Sequence, residues 1–134
     1  MLKRFKNPQG FTLVEILIVV VMLAILFAIA VPIYVNYVAQ ARAAEAQEAI
    51  NSIKSAANVF FAQRGQYPAN IDQLDQLQFE DVVNDRWNFN WVVAGTGITQ
   101  ITATSTGRMP GGAGKQVTLN TLTGEWHGYG FDNY

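Results

Sequence analysis

From Ile16 to Val35 the chain presents twenty consecutive positions without a charged side chain, almost all of them Leu, Ile, Val, Ala, Met or Phe. A helix rises about 1.5 Å per residue, so a run of this length matches the hydrocarbon core of a bilayer, roughly 30 Å thick. Nothing in the run shows a polar face, and a helix apolar all round is covered by lipid or by other helices. This segment takes up much of a 134-residue chain. If a leader and one long helix occupy residues 1 to 64, about seventy residues are left for a globular part, close to the lower limit for a self-sufficient core. Such a domain is expected to use the helix as part of its own interior.

The pattern changes at Asn36. From there to Arg64, Ala46, Ala49, Ile50, Ile53, Ala57, Phe60 and Phe61 fall within about 120° of arc at roughly 100° per residue. Glu48, Asn51, Ser52, Ser55 and Asn58 fall opposite, with Val59 as the one apolar residue on the polar side. The spacing predicts an amphipathic continuation of the same helix, ending at Gly65. Residues 12 to 64 together would span roughly 80 Å, with Pro32 as the one interior breaker, expected to kink the helix or loosen it one turn upstream.

Beyond Tyr67 and Pro68, residues Asn70 to Leu77 read as a short helix with Asp72 and Asp75 near its start. Trp87, Phe89, Trp91 and Val93 alternate with Asn88 and Asn90, the period of a half-buried strand, and a turn at Gly95-Thr96-Gly97 leads into a second strand, Ile98 to Thr104. Residues 105 to 114 read as loop and Lys115 to Thr121 as a third strand, and a turn at Thr123-Gly124 leads into Glu125 to His127. The fold class expected is α+β: a long N-terminal helix, half membrane-spanning and half amphipathic, packed on a small antiparallel sheet of three or four strands.

Composition narrows the chemistry. The absence of cysteine removes disulfides, thiolate metal sites and a thiol nucleophile. Lys3, Arg4 and Lys6 precede the apolar run and leave six basic against ten acidic residues behind them, a positive-inside arrangement with no basic patch for nucleic acid. His127 is the only histidine and has no companions for a zinc site. Asp72 and Asp75 suit a helix dipole better than a catalytic pair. The stretch ending Gly114-Lys115-Gln116 falls short of a phosphate loop, with Met109 where the first Gly belongs and Gln116 in place of Ser or Thr. Trp87, Trp91 and Trp126 are expected in the core.

One residue stands out against the apolar run. Glu15 sits at its mouth, where a carboxylate costs up to about 3 kcal/mol at mid-bilayer and less near the edge, and so marks function. With its neighbours it forms Gly10-Phe11-Thr12-Leu13-Val14-Glu15, between a short basic leader and the apolar run. In this arrangement the chain resembles the type IV pilin and type II secretion pseudopilin family, with its prepilin cleavage and methylation motif. The resemblance is close over residues 1 to about 40, loose to about 68, and at the level of fold beyond. It implies a basic leader over 1–10, cleavage by a prepilin peptidase between Gly10 and Phe11, and N-methylation of Phe11. It further implies a transmembrane and filament-core helix over 11–35, an amphipathic continuation over 36–64, and a small globular domain over 65–134. Glu15 would pair with the Phe11 amine of a neighbouring subunit, and Pro32 would loosen the helix as the subunit leaves the membrane. The implied partners are further copies of the chain in a helical filament, the peptidase, inner-membrane assembly machinery and, before assembly, lipid. The implied locations are the bacterial inner membrane and then an extracellular or periplasmic fibre. No cofactor and no enzymatic activity are expected. The chain departs from many pilins in lacking the cysteine pair that closes their C-terminal loop. Related pseudopilins bind calcium near the C-terminus, which makes Asp132 and Asn133 candidate oxygen ligands.

Three other readings stay open at this point: a type II secretion pseudopilin, a single-pass membrane-anchored binding protein, and a secretory signal peptide cut after Ala28-Ile29-Ala30. Glu15 and the seamless passage into the amphipathic helix speak against the last.

Overall fold

The computed structural model describes residues 10–74, 77, 81–95 and 97–132. The chain forms two compact units, Met1–Val35 and Asn36–Tyr134. Helix α1 runs Leu13–Arg64 without interruption. In the first unit its side chains are exposed at every described position, among them Leu17, Val20, Leu23, Leu26 and Ile29. It is the one helix among the described residues long and apolar enough to cross a membrane. Pro32 lies inside it without ending it; lacking an N–H, Pro32 leaves the Ala28 carbonyl without its helical donor.

In the second unit, the stretch of α1 from Asn36 to Arg64 buries Ala43, Ala46, Ala49, Ile50, Ile53, Ala57 and Phe60. Six of the seven residues of the expected stripe are therefore inside. Phe61 departs from it: it is 38% exposed, and its ring stacks on Tyr67 at 4.5 Å between centroids rather than entering the core. Ala43 is buried instead, because the C-terminal segment comes down upon it. The helix stops where expected, with Gly65 at φ 72° and its N–H donating to the Phe61 carbonyl at 2.7 Å. Glycine adopts this left-handed geometry without a Cβ clash.

The short helix expected over Asn70 to Leu77 is, among the described residues, one 3₁₀ turn, Ile71–Gln73. Asn70 supplies no side-chain cap; the Gln73 amide oxygen accepts the Ala69 N–H at 2.7 Å, and Leu74 leaves helical geometry to enter the core, 5% exposed. A second helix that the sequence pattern did not announce, α2 (Asp81–Arg86), leads directly into the sheet.

Four antiparallel strands follow in chain order: β1 (Trp87–Ala94), β2 (Gly97–Ser105), β3 (Gln116–Asn120) and β4 (Trp126–Gly128). Alternation assigns each face. Trp91, Ile101, Leu119 and Trp126 form one cross-strand row toward the core, and Phe89, Ala103, Val117 and Gly128 the next. Asn90, Thr102, Thr118 and His127 form a row on the opposite face, tied by a Thr102–Thr118 hydroxyl bond of 3.2 Å. The alternation expected through Val93 breaks at a register shift between Val92 and Val93, and Val93 is 47% exposed.

Two glycines set how closely the C-terminal segment packs. At Gly128, φ 98°, a Cβ would stand 2.1 Å from the Gln116 carbonyl oxygen; at Gly130, φ 83°, it would stand 2.5 Å from the Ala43 Cβ. The segment thus rests on α1 with no side chain between. The long loop between β2 and β3 closes without disulfides. The buried Ser105 hydroxyl donates to the Gly112 carbonyl and accepts the Lys115 N–H, both at 2.9 Å, while Met109 inserts into the core at 2% exposure. Thr106 and Arg108 bond to Asp85, and Arg86 pairs with Glu45 of α1 at 3.1 Å, so α2 is fastened to the loop and to the helix.

Two outcomes follow for stability. A fragment beginning at Asn36 melts cooperatively, whereas one beginning at Gly65, deprived of seven buried residues of α1, shows no cooperative transition by circular dichroism. In the longer fragment, Gly130→Val lowers stability by about 1–3 kcal/mol or more in urea denaturation, since the added atoms must displace Ala43 or the segment itself.

Candidate assembly site

The N-terminal group of residues is arranged by a local interaction. Leu13 is the first helical residue, and the Thr12 carbonyl accepts the first intrahelical bond from Ile16 at 3.3 Å. That leaves the leading N–H groups of α1 without partners from the helix backbone, as at any helix start. The Thr12 hydroxyl accepts the Glu15 N–H at 3.2 Å, and Glu15 Oε2 accepts both the Thr12 N–H and the Thr12 hydroxyl at 2.8 Å. Thr12 and Glu15 therefore form a reciprocal capping box. Its signal, Thr-x-x-Glu directly before an apolar run, is present in the sequence, where the charge of Glu15 is more conspicuous than its three-residue spacing from Thr12.

The cap sets where the helix starts. Gly10 and Phe11 lie upstream of it in non-helical backbone, Phe11 is 84% exposed, and a Cβ at Gly10 would meet nothing within 4 Å. Glu15 lies in the first turn, where a carboxylate also complements the positive end of the helix dipole. Gly10, Phe11 and Glu15 are thus brought to one helix end, while Pro32 lies about five turns further along α1.

The globular unit offers less. Among the described residues no three His, Cys, Asp or Glu side chains gather to hold a metal ion. Asp132 accepts the Gly128 N–H at 2.7 Å through Oδ2, and its Oδ1 stands 3.9 Å from His127 Nδ1; Asn133 lies outside the described residues. His127 also stands 3.9 Å from Glu125, both well exposed. Asp72 is in the 3₁₀ turn, and Asp75 lies outside the described residues. Lys115 reaches over the Tyr129 ring at 4.8 Å. Trp87 is buried; Trp91 is half-buried with its Nε1 donating to the Pro68 carbonyl at 2.9 Å, and half-buried Trp126 stacks on Phe131 at 5.8 Å. A groove of about 70 Å³ between Phe60, Arg64 and Leu74 is well below the size of usual small-molecule sites.

Comparison with known proteins bears on the same segment. Residues 5–31 match the family of the prokaryotic N-terminal methylation motif. The chain is 35% identical over 114 residues to the fimbrial protein EcpC of Eikenella corrodens, covering 83% of this chain and 72% of that protein. It is 39% identical over 62 residues to a type IV major pilin protein PilE1 of Neisseria gonorrhoeae, covering 46% of this chain and 38% of that one. To the type IV major pilin protein PilA of Myxococcus xanthus it is 31% identical over 85 residues, 62% of this chain and 37% of that protein. In the last two the match spans well under half of the relative's length. With a methylation motif, a long N-terminal helix and a four-stranded antiparallel sheet behind it, the chain belongs to the type IV pilin family.

Proposed function

We propose that this chain is a structural subunit that acts by polymerising into a type IV pilus-like filament, after a prepilin peptidase cuts between Gly10 and Phe11 and the new Phe11 amine is methylated. The observation that carries this reading is the N-terminal arrangement: an exposed, non-helical Gly10-Phe11 pair, a capped helix start at Thr12, and an uninterrupted apolar helix beyond. A peptidase needs an extended peptide, and this one is held out of the helix two residues before the first helical position. Before assembly the apolar half of α1 resides in the bacterial inner membrane; afterwards the subunit belongs to an extracellular or periplasmic fibre, drawn there by inner-membrane machinery. Its chemistry is association, without catalysis or cofactor. The names of the relatives, fimbrial proteins and major pilins, favour a pilus over a pseudopilus.

In the fibre Glu15 pairs with the Phe11 amine of a neighbour, so that two charges entering a low-dielectric bundle neutralise each other. Leaving one member of such a pair alone costs about 3–5 kcal/mol. Pro32, which removes one helical hydrogen bond, is where α1 loosens as the subunit is extracted.

Mass spectrometry of fibre protein is expected to show N-methylated Phe11 as first residue; a terminus at Val31 would instead identify a signal peptide. Replacing Gly10 with a bulky residue leaves uncut precursor in the membrane fraction. Glu15 has two roles that substitution separates. Glu15→Gln keeps a side chain able to complete the capping box but removes the charge, whereas Glu15→Val removes both. Both variants are expected to insert and be processed, and both to lose fibres. Wild-type fibre yield from Glu15→Gln would limit Glu15 to the cap.

A further inference from the structure

The glycine-rich loop between β2 and β3 brings two cations together. A Cβ added at Gly111 would stand 2.9 Å from Arg42 Nη1 and 3.5 Å from Lys115 Cε, so both side chains converge on this residue and lie beside each other. Both residues are half-buried, and among the described residues neither has an ion-pair partner. Glu45, one turn along α1 from Arg42, is taken by Arg86, and Lys115 reaches only the Tyr129 ring. In the same loop the N–H groups of Gly112, Gly114 and Lys115 are bonded within the chain, whereas those of Gly111 and Ala113 have no acceptor among the described residues. Two like charges this close repel each other, and an anion set against both removes the repulsion.

We propose that Arg42, Lys115 and the loop between them hold the phosphate of an anionic phospholipid while the subunit is in the membrane, a proposal that rests on the membrane placement of α1 given above. Dissolved phosphate offers the same oxygens, but position favours the lipid. Arg42 stands seven residues beyond Val35, about 10 Å along α1, and Cα–Cβ bonds in a helix tilt toward its N-terminus, here the lipid side. Headgroups extend roughly 5–7 Å beyond the hydrocarbon on each side, within range of a long side chain that carries its charge at the tip. Charge points the same way. Behind Val35 the chain carries six basic and nine acidic residues, and Arg86 and Arg108 are already engaged in ion pairs. An anionic surface therefore repels the unit as a whole and attracts it by this corner.

The absence of cysteine supplies the test. Full-length Ala113→Cys, with a fluorophore on its exposed thiol, is placed in nanodiscs of phosphatidylcholine alone or of phosphatidylcholine with phosphatidylglycerol. Both contain a lipid whose headgroup nitroxide quenches at short range. Stronger quenching in the phosphatidylglycerol discs is expected. Arg42→Gln and Lys115→Gln should each lower the ratio of docked to free loop about fivefold, the weight of one basic residue near an anionic surface, while Arg42→Lys keeps most of it. The same fluorophore at Asn58→Cys, about four turns further along α1, should not respond to lipid composition. Replacing Lys3, Arg4 and Lys6 by Gln should leave the loop response in place. Equal quenching in the two lipid mixtures overturns the proposal, as does a phosphatidylglycerol response that survives both Gln substitutions. If those two variants keep the response but form no fibres, the pair serves a neighbouring subunit and the proposal falls. Release of the docked loop by inorganic phosphate at constant ionic strength would assign the site to dissolved phosphate and overturn the lipid assignment. A chain that does not enter the discs would overturn the membrane placement of α1 first, and this proposal with it.

Discussion

The stripe of α1 that faces the sheet is the interaction on which the globular unit depends. Ile50 and Ile53 are fully buried there, and each contributes roughly 1.5–3 kcal/mol from apolar burial before conformational entropy is set against it. Without this helix the four strands would present Ile101, Val117, Leu119 and Trp87 to water on one face and lose the stabilisation that their burial supplies. The other members of the unit serve this contact: Arg86 ties α2 to Glu45 of the helix, Met109 fills the core from the loop, and the C-terminal segment settles on Ala43. The helix that carries the apolar run thereby also carries the domain.

How far this could be read in advance depended on whether periodicity was the governing signal. The stripe from Ala46 to Phe60 and the first strand, from Trp87, follow from repeating patterns that burial imposes on a chain, while the stop at Gly65 and the last of the three or four strands expected follow from turn and stop residues. Phe61 departs from the stripe because it lies at the edge of the arc, where Tyr67 offers its ring a stacking partner outside the core. The six-residue α2 is too short to show a period, and the helix expected over Asn70 to Leu77 shrank to a 3₁₀ turn because Leu74 is drawn inward. Val93 followed the alternation on paper, but a register shift just before it changes its surroundings. Gly128 and Gly130 were invisible for a different reason: their role is set by Gln116 and Ala43, distant in sequence, and glycine carries no pattern of its own.

At the N-terminus, legibility was high for charge and low for geometry. An acidic residue among apolar ones, as Glu15 is, is conspicuous in any window. That its nearest partner is Thr12 of the same chain is a matter of three-residue spacing. The cap and the proposed intersubunit pairing of Glu15 do not compete for the same atoms. Both Thr12 donors go to Oε2, which leaves Oε1 for the Phe11 amine of a neighbouring subunit in the proposed filament.

The capping box lies wholly in Thr12 and Glu15, downstream of Phe11. The helix start is therefore written into residues that lie after Phe11 and draw no cap from Gly10 or Phe11. The proposed cut after Gly10 would leave both members of the capping box in place and add one new amine at Phe11, two residues before the first helical position.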